Sequence, residues 1–287
     1  MTKEMPKFVK SNKPAPAASK RSKKSFCVSK VDRSTSGKKI LIYGKTGMGK
    51  STLAAMAPGA VFIQPDNGLE DLQHPVEGGE FDVIPGVTSF EDVRDAVNTH
   101  SLFDNFDTIV LDTLTYVQEM CAAYVVQYIK KEKGGKAKSI TDFGWAKGYE
   151  HVYNQMNLLK VDLDELVRSG KNVILIAQLA KLVVTDPSHG EYWFSQPDLF
   201  DKKNAPVTAS FNAWASHIFK IDWAQVEIEE GKIGVASDQR AVYVKPELSF
   251  EAKTRGSTFD DYPVVTFDSR SDDSIWRILF DGTETDG

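Results

Sequence analysis

A glycine-rich turn between two apolar segments constrains this chain more than any other feature of it. Gly44-Lys45-Thr46-Gly47-Met48-Gly49-Lys50-Ser51 satisfies every fixed position of the pattern G-x-x-x-x-G-K-[ST]. Lys39 to Tyr43 before it reads as a buried strand, and Ser51 to Ala57 after it reads as the opening of a helix. In such a strand–loop–helix the backbone N–H groups from Gly44 to Thr52 close around phosphate oxygens, and the helix N-terminus adds partial positive charge. Lys50 then reaches the β- and γ-phosphates, and the Ser51 hydroxyl ligates Mg²⁺. The pattern predicts a nucleoside-triphosphate site. The bland alternative is a tight turn with no ligand, and the flanking strand and helix argue against it.

With 287 residues, 41% of them apolar and 26% charged, the chain has material for a large core. It has no run of about 18 apolar residues, so no membrane span is expected, and its basic start lacks the apolar stretch of a signal peptide. Cys27 and Cys121 lie far apart and match no metal or redox spacing, which suits a reducing cytoplasm. The five histidines are scattered and form no zinc constellation. The net charge of –5 is unevenly placed: the first 40 residues carry twelve Lys or Arg against Glu4 and Asp32, leaving –15 for the rest. With Pro6, Pro14, Pro16 and few large apolar groups, residues 1–36 read as a disordered basic arm. Such an arm suits contacts with nucleic-acid phosphates, and a solubilising tail explains it equally well. Residues 271–287, with Asp272, Asp273, Asp281, Glu284 and Asp286, read as an acidic tail. Residues 37–270 remain as one domain.

Within that domain short apolar strands alternate with helices, the signature of a mainly parallel sheet. Strands are expected at Ala60–Gln64, Phe81–Ile84, Thr108–Leu111 and Asn172–Ala177. Helices are expected from Ser89, whose hydroxyl caps an acidic first turn, from Leu114 to about Lys131, and from Tyr149 to Arg168. Between the last two, Glu132 to Ser139 reads as a surface loop. From His217 onward strands follow one another (His217–Asp222, Gln225–Glu229, Arg240–Val244, Leu248–Lys253), separated by turn signals at Glu230-Gly231 and Ser237-Asp238. They are expected to add antiparallel hairpins to the sheet.

Three strand ends carry candidate chemistry. Asp112 closes the apolar run Thr108 to Leu111, where a carboxylate holds Mg²⁺ through a water and Thr113 steadies the network. Asp66, just past the second strand, is placed to orient or deprotonate water, with Glu70 in reserve; a Pro-Asp-Asn-Gly turn explains it too. Gln178 ends the strand Asn172–Ala177 and presents a neutral amide to a γ-phosphate.

Together the phosphate loop, Asp66, Leu111-Asp112-Thr113, the strand ending in Gln178 and Asp142-Phe143-Gly144 resemble the RecA-like ATPase core. More narrowly they resemble the phage-encoded family that includes Sak-type single-strand-annealing ATPases. The likeness runs from about Lys39 to Pro263. It implies ATP with Mg²⁺, hydrolysis, single-stranded DNA as partner, and work in phage recombination, annealing or replication beside single-strand-binding or replication proteins. Asp66 departs from the pattern, since RecA-like proteins typically carry Glu there, and the shorter acid implies slower turnover or a role for Glu70. By the same resemblance, Lys253 and Arg255 of Lys253-Thr254-Arg255-Gly256 reach a neighbour's γ-phosphate in a ring or filament. Two basic residues on a surface strand are also commonplace.

The resemblance puts DNA on the loops after the Gln-ending strand. There Lys181 to Thr185 and Glu191 to Ser195 flank a Pro/Gly turn and read as a protruding hairpin. Tyr192, Trp193 and Phe194 are consecutive, so strand alternation exposes at least one of them. With Lys181, Lys202 and Lys203 they form a stacking platform beside a phosphate track, or else they pack in the core and a subunit interface. Two further readings stay open: a nucleotide-gated loader or regulator with little hydrolysis, and a P-loop small-molecule kinase, although no Arg-rich lid is evident. A GTPase lacks support because no Asn-Lys-x-Asp segment occurs.

Overall fold

The computed structural model describes residues 28, 36–131, 134–224, 239–267 and 269–281. The chain divides into two units, Met1–Arg33 and Ser34–Gly287. The first is described at Val28 alone, so the basic arm lies outside the described residues, as do Glu132, Lys133, the expected strand Gln225–Glu229, its two turns and residues 282–287.

The second unit is a sheet with helices on both faces. Its centre is β1 (Lys39–Gly44), an apolar run buried from Ile40 on. The loop after it leads to α1 (Lys50–Ala55), β2 (Ala60–Ile63) and a short β3 (Val83–Ile84). Next come α2 (Phe90–Asn98), β4 (Thr108–Asp112), α3 (Leu114–Tyr128), α4 (Lys147–Arg168) and β5 (Asn172–Asp186). A hairpin partner β6 (Gly190–Pro197), a small β7–β8 pair (Asp201–Lys202, Ala205–Pro206) and α5 (Val207–Trp214) lead to β9 (His217–Trp223). The described chain ends with β10 (Arg240–Tyr243), β11 (Lys253–Thr254), β12 (Val264–Phe267) and α6 (Ser274–Asp281).

The strand order is β12-β10-β9-β1-β5-β4-β2-β3, with β11 paired to β9 and β6 to β5. From β9 to β3 the neighbours are parallel; β10, β11 and β12 add antiparallel pairs. Two apolar cores follow from strand alternation. Leu41, Leu111 and Leu175 face α2, α3, α4 and α5 on one side, while Ile40, Ile42 and Ile174 face α1 and α6 on the other. Helix α2 begins as the sequence predicts: the Ser89 hydroxyl accepts from Asp92 N, and the Asp92 carboxylate accepts from Ser89 N in return.

Several expectations need correction. Strand β9 does form the expected antiparallel pair with β10, and on its other side it also lies parallel to β1, because the chain reaches it by a crossover through α5 and buries His217 to Ile221 within the sheet. The expected strand Leu248–Lys253 shrinks to Lys253–Thr254. Glu247 and Phe250 exchange backbone hydrogen bonds in a tight turn, and Ser249 and Glu251 bond to Ser195 of β6 instead of to β9. The strand at Asn172 does not stop at Ala177 but runs on to Asp186 as the first arm of the hairpin. Residues 274–281 are not an acidic tail. Ile275, Trp276, Ile278 and Leu279 make an apolar stripe at helical spacing, α6 buries it, and Trp276 Nε1 donates to the Leu53 carbonyl of α1 (2.7 Å).

Candidate active site

The phosphate loop leaves the C-terminal end of β1 where two conditions demand glycine. Gly44 lies so close to β9 that a Cβ would meet the Ile221 carbonyl oxygen at 2.6 Å. Gly49 has φ +92°, a left-handed conformation costly for residues with a Cβ. Helix α1 is only six residues long, so the cradle rests on the loop's backbone donors more than on a long helix dipole.

Lys50 is buried, and its ammonium donates to the carbonyls of Gly44 and Lys45 (2.9 Å each) and to Gln178 Oε1 (3.1 Å). The Thr46 hydroxyl donates to the same Gln178 oxygen at 3.2 Å. The Gln178 amide and the lysine expected at the β- and γ-phosphates are therefore in direct contact. Burial lowers the Lys50 pKa to about 8, with the Asp112 charge acting in the opposite direction.

Asp112, at the end of β4, accepts a hydrogen bond from the Ser51 hydroxyl at 2.5 Å. Burial raises its pKa to about 6 and the nearby Asp66 adds to the rise, while the Ser51 hydrogen bond and Lys50 oppose it. A hydroxyl and a carboxylate side by side are the hard oxygen donors that Mg²⁺ takes alongside phosphate oxygens and waters. Ser51 and Asp112 thus fit that ion, which would neutralise charge on the phosphates. Among the described residues, no group of three or more His, Cys, Asp or Glu is arranged to hold a metal without such help. Thr113 caps α3, its hydroxyl accepting from Tyr116 N.

These groups line a cleft of about 320 Å³ together with Asp66. The Asp66 carboxylate accepts from Gly68 N (3.3 Å) and Gln64 Nε2 (3.1 Å), so the residue shapes its turn and also faces the site. Glu70 lies elsewhere: it lines a neighbouring groove of about 940 Å³ formed by the connection from β2 to β3 and the turn after β3, and it is not among the residues lining the cleft. The sequence reading missed two cleft residues, Arg240 and Arg270. Arg240 lies 192 residues beyond Met48 of the loop and opens an ordinary apolar strand, and Arg270 is farther still, so no local pattern marks them.

The remaining sequence candidates fall at two other places. Lys253 and Arg255 sit beside the start of β9, at the edge of the sheet opposite the phosphate loop. The Lys253 ammonium donates to the carbonyls of Asn212, Ala213 and Ala215, capping the C-terminus of α5, while Arg255 is exposed. Neither can reach this subunit's own cleft. In the hairpin, β5 and β6 pair from Leu179↔Pro197 to Asp186↔Gly190. Trp193 is 64% exposed, opposite the exposed Val183, with Lys181 on the same face; Tyr192 and Phe194 are half-buried. Lys202 and Lys203 are exposed, and the Lys202 ammonium lies 5.8 Å from the centre of the Tyr149 ring. Four residues before Tyr149, Trp145 is 94% exposed at φ +47°, a residue the sequence reading did not single out.

Gln178 joins the cleft to this hairpin. Its backbone N–H donates to the Thr115 hydroxyl, its carbonyl accepts from Asp198 N, and its own strand continues into the hairpin arm.

A family model described as an AAA domain matches residues 36–256, a span that includes the loop, Asp66, Asp112, Gln178, the hairpin and Arg240. Among curated proteins none matches the chain. The AAA-type family is one of nucleotide-binding ATPases, in keeping with a mainly parallel α/β sheet that sets a phosphate loop beside a buried Ser51–Asp112 pair. The chain belongs to the AAA-domain family of P-loop NTPases.

Proposed function

We propose that this protein hydrolyses ATP with Mg²⁺ and binds single-stranded DNA along its hairpin, as in the RecA-like, Sak-type ATPases of phage recombination, annealing or replication. The observation that carries the reading is the position of Gln178. Its amide touches Lys50 and Thr46, and the same strand runs uninterrupted into a hairpin bearing an exposed Trp193 and Lys181. Lys50 and the loop bind the phosphates, Ser51 and Asp112 hold Mg²⁺, Asp66 orients water, and Gln178 registers the γ-phosphate. Base stacking on Trp193 is sequence-tolerant and worth about 1–3 kcal/mol per base. Lys181 lies on the same exposed face, while Trp145, Lys202 and Lys203 are exposed near the N-terminus of α4.

The test is ATP turnover with and without single-stranded DNA, beside DNA binding by fluorescence anisotropy. Turnover stimulated by DNA, lost in Lys50→Ala, with DNA affinity lowered by an order of magnitude in Trp193→Ala and Trp145→Ala, supports the reading. DNA affinity equal in wild type and both tryptophan variants would remove the hairpin as the DNA site, and no binding by wild type would remove DNA from the reading. A nucleotide-gated regulator with little turnover is the second reading. Asp66 favours it, as a short acid tied into its own turn, with Glu70 outside the cleft. Tight ATP binding without measurable hydrolysis, with or without DNA, would establish that alternative.

A further inference from the structure

The cleft has two ends, and the strand order distinguishes them. Asp112 on β4 and Gln178 on β5 lie on one side of β1, so the γ-phosphate and Mg²⁺ belong there. Arg240, the first residue of β10, and Arg270, just beyond β12, lie on the other side. Arg240 pairs with Trp223 at the C-terminal end of β9, which puts it on the same edge of the sheet as the phosphate loop. Neighbouring strands are about 4.8 Å apart, so β10 starts about 10 Å from β1. An arginine spans that gap, and this one does: Arg240 Nη1 donates to the Met48 carbonyl at 3.1 Å. A Cβ on Gly49 would lie 2.7 Å from the same nitrogen. The guanidinium is seated 5.7 Å from the centre of the Phe267 ring. Among the described residues neither arginine forms an ion pair with a carboxylate.

We propose that Arg240 and Arg270 form the nucleoside-side half of the nucleotide site, holding the α-phosphate and ribose end of the ligand from within the same subunit. The proposal rests on the nucleotide reading above and adds to it the place where binding charge is supplied. A guanidinium offers several donors in a plane and suits phosphate oxygens better than an ammonium does. Arg240 has a second duty, since its bond to Met48 fixes the loop from outside. Among the described residues Arg270 has no such structural bond, and it is the cleaner probe. Because both lie away from Asp112 and Gln178, their contacts are made alike to a triphosphate and a diphosphate. This separates them from a residue that acts on the γ-phosphate, whether Gln178 in this subunit or Arg255 from a neighbour.

Binding of fluorescent ADP and of a fluorescent non-hydrolysable ATP analogue, both with Mg²⁺, tests this in the full chain. Wild type, Arg270→Ala, Arg240→Lys and Lys50→Ala are compared, with melting temperatures as a fold control. The expected result is that Arg270→Ala raises Kd for both nucleotides by about 10-fold, a charge-assisted hydrogen bond's worth, with an unchanged melting temperature. Arg240→Lys, which keeps the charge but not the fork, raises both by less. Equal Kd in Arg270→Ala and wild type overturns the proposal, and so does a loss confined to the ATP analogue. If wild type binds neither nucleotide, the nucleotide reading itself fails and this inference falls with it. Wild-type binding abolished by Lys50→Ala but untouched by Arg270→Ala defeats the inference alone.

Discussion

Asp112 and Lys50 bring opposite charges to one buried floor, and burial penalises the charged form of both. The sign of the consequence differs from that of an ordinary salt bridge. The folded-state pKa of Asp112, about 6, is above its ordinary 3.8. The stability that its protonated form contributes is therefore complete below pH 3.8 and lost as pH rises through 6. At neutral pH, without nucleotide or Mg²⁺, the charged carboxylate is a stability cost. Asp112→Asn keeps an acceptor for the Ser51 hydroxyl and should raise the melting temperature of the free protein while abolishing turnover. The gain should be near zero at pH 4 and level off above pH 6, at about 2–4 °C for each kcal/mol relieved. Thermal scans of both proteins from pH 4 to 7.5 check this, and a gain independent of pH contradicts it. Lys50 gives the complementary expectation: with a pKa of about 8, nucleotide affinity should weaken as pH rises above 8. Both residues were legible in the sequence because their signals are local, a loop after one strand and an acid ending another. Arg240 and Arg270 were not, since their convergence on the loop depends on the order in which distant strands join the sheet.

At the level of elements, α6 shows how an apolar stripe outweighs the acidic residues around it. Residues 271–287 read as a tail by charge, yet Ile275, Trp276, Ile278 and Leu279 repeat at helical spacing, and their burial decides the outcome. The helix covers α1, the element that follows the phosphate loop, and Trp276 bonds to its Leu53 carbonyl. Trp276→Ala should therefore cost about 3–5 kcal/mol, read by denaturant unfolding, and should weaken nucleotide binding although the residue lies outside the cleft. Unchanged unfolding would mean that α6 is only loosely attached. The serine cap at Ser89 was visible in sequence because Ser89 to Asp92 are contiguous. The parallel pairing of β9 was not. Nothing in His217–Trp223 shows that the strand paired antiparallel with β10 also lies parallel to β1; the crossover through α5 sets that.

For the whole molecule, the separation of Lys253 and Arg255 from the subunit's own cleft leaves them two different fates. Lys253 spends its donors on the end of α5. Lys253→Ala should lower the melting temperature whether or not subunits assemble. Arg255 is exposed at the edge of the sheet opposite the loop. If assembly brings it to a neighbour's phosphates, Arg255→Ala should slow turnover by 10³-fold or more while leaving the melting temperature alone. Light scattering with and without ATP then shows whether turnover follows assembly, and full activity of Arg255→Ala in a monomer rules out the trans role. One further consequence follows from the length of β5. Side chains alternate without a break from the core at Val173 to the hairpin tip at Asp186, so the core dictates which residues of the hairpin face outward. A single residue inserted between Gln178 and Lys181 would turn Lys181 and Val183 to the opposite side. Loss or gain of residues there in pairs would preserve the outward face, so the hairpin can change its reach in steps of two residues but not of one.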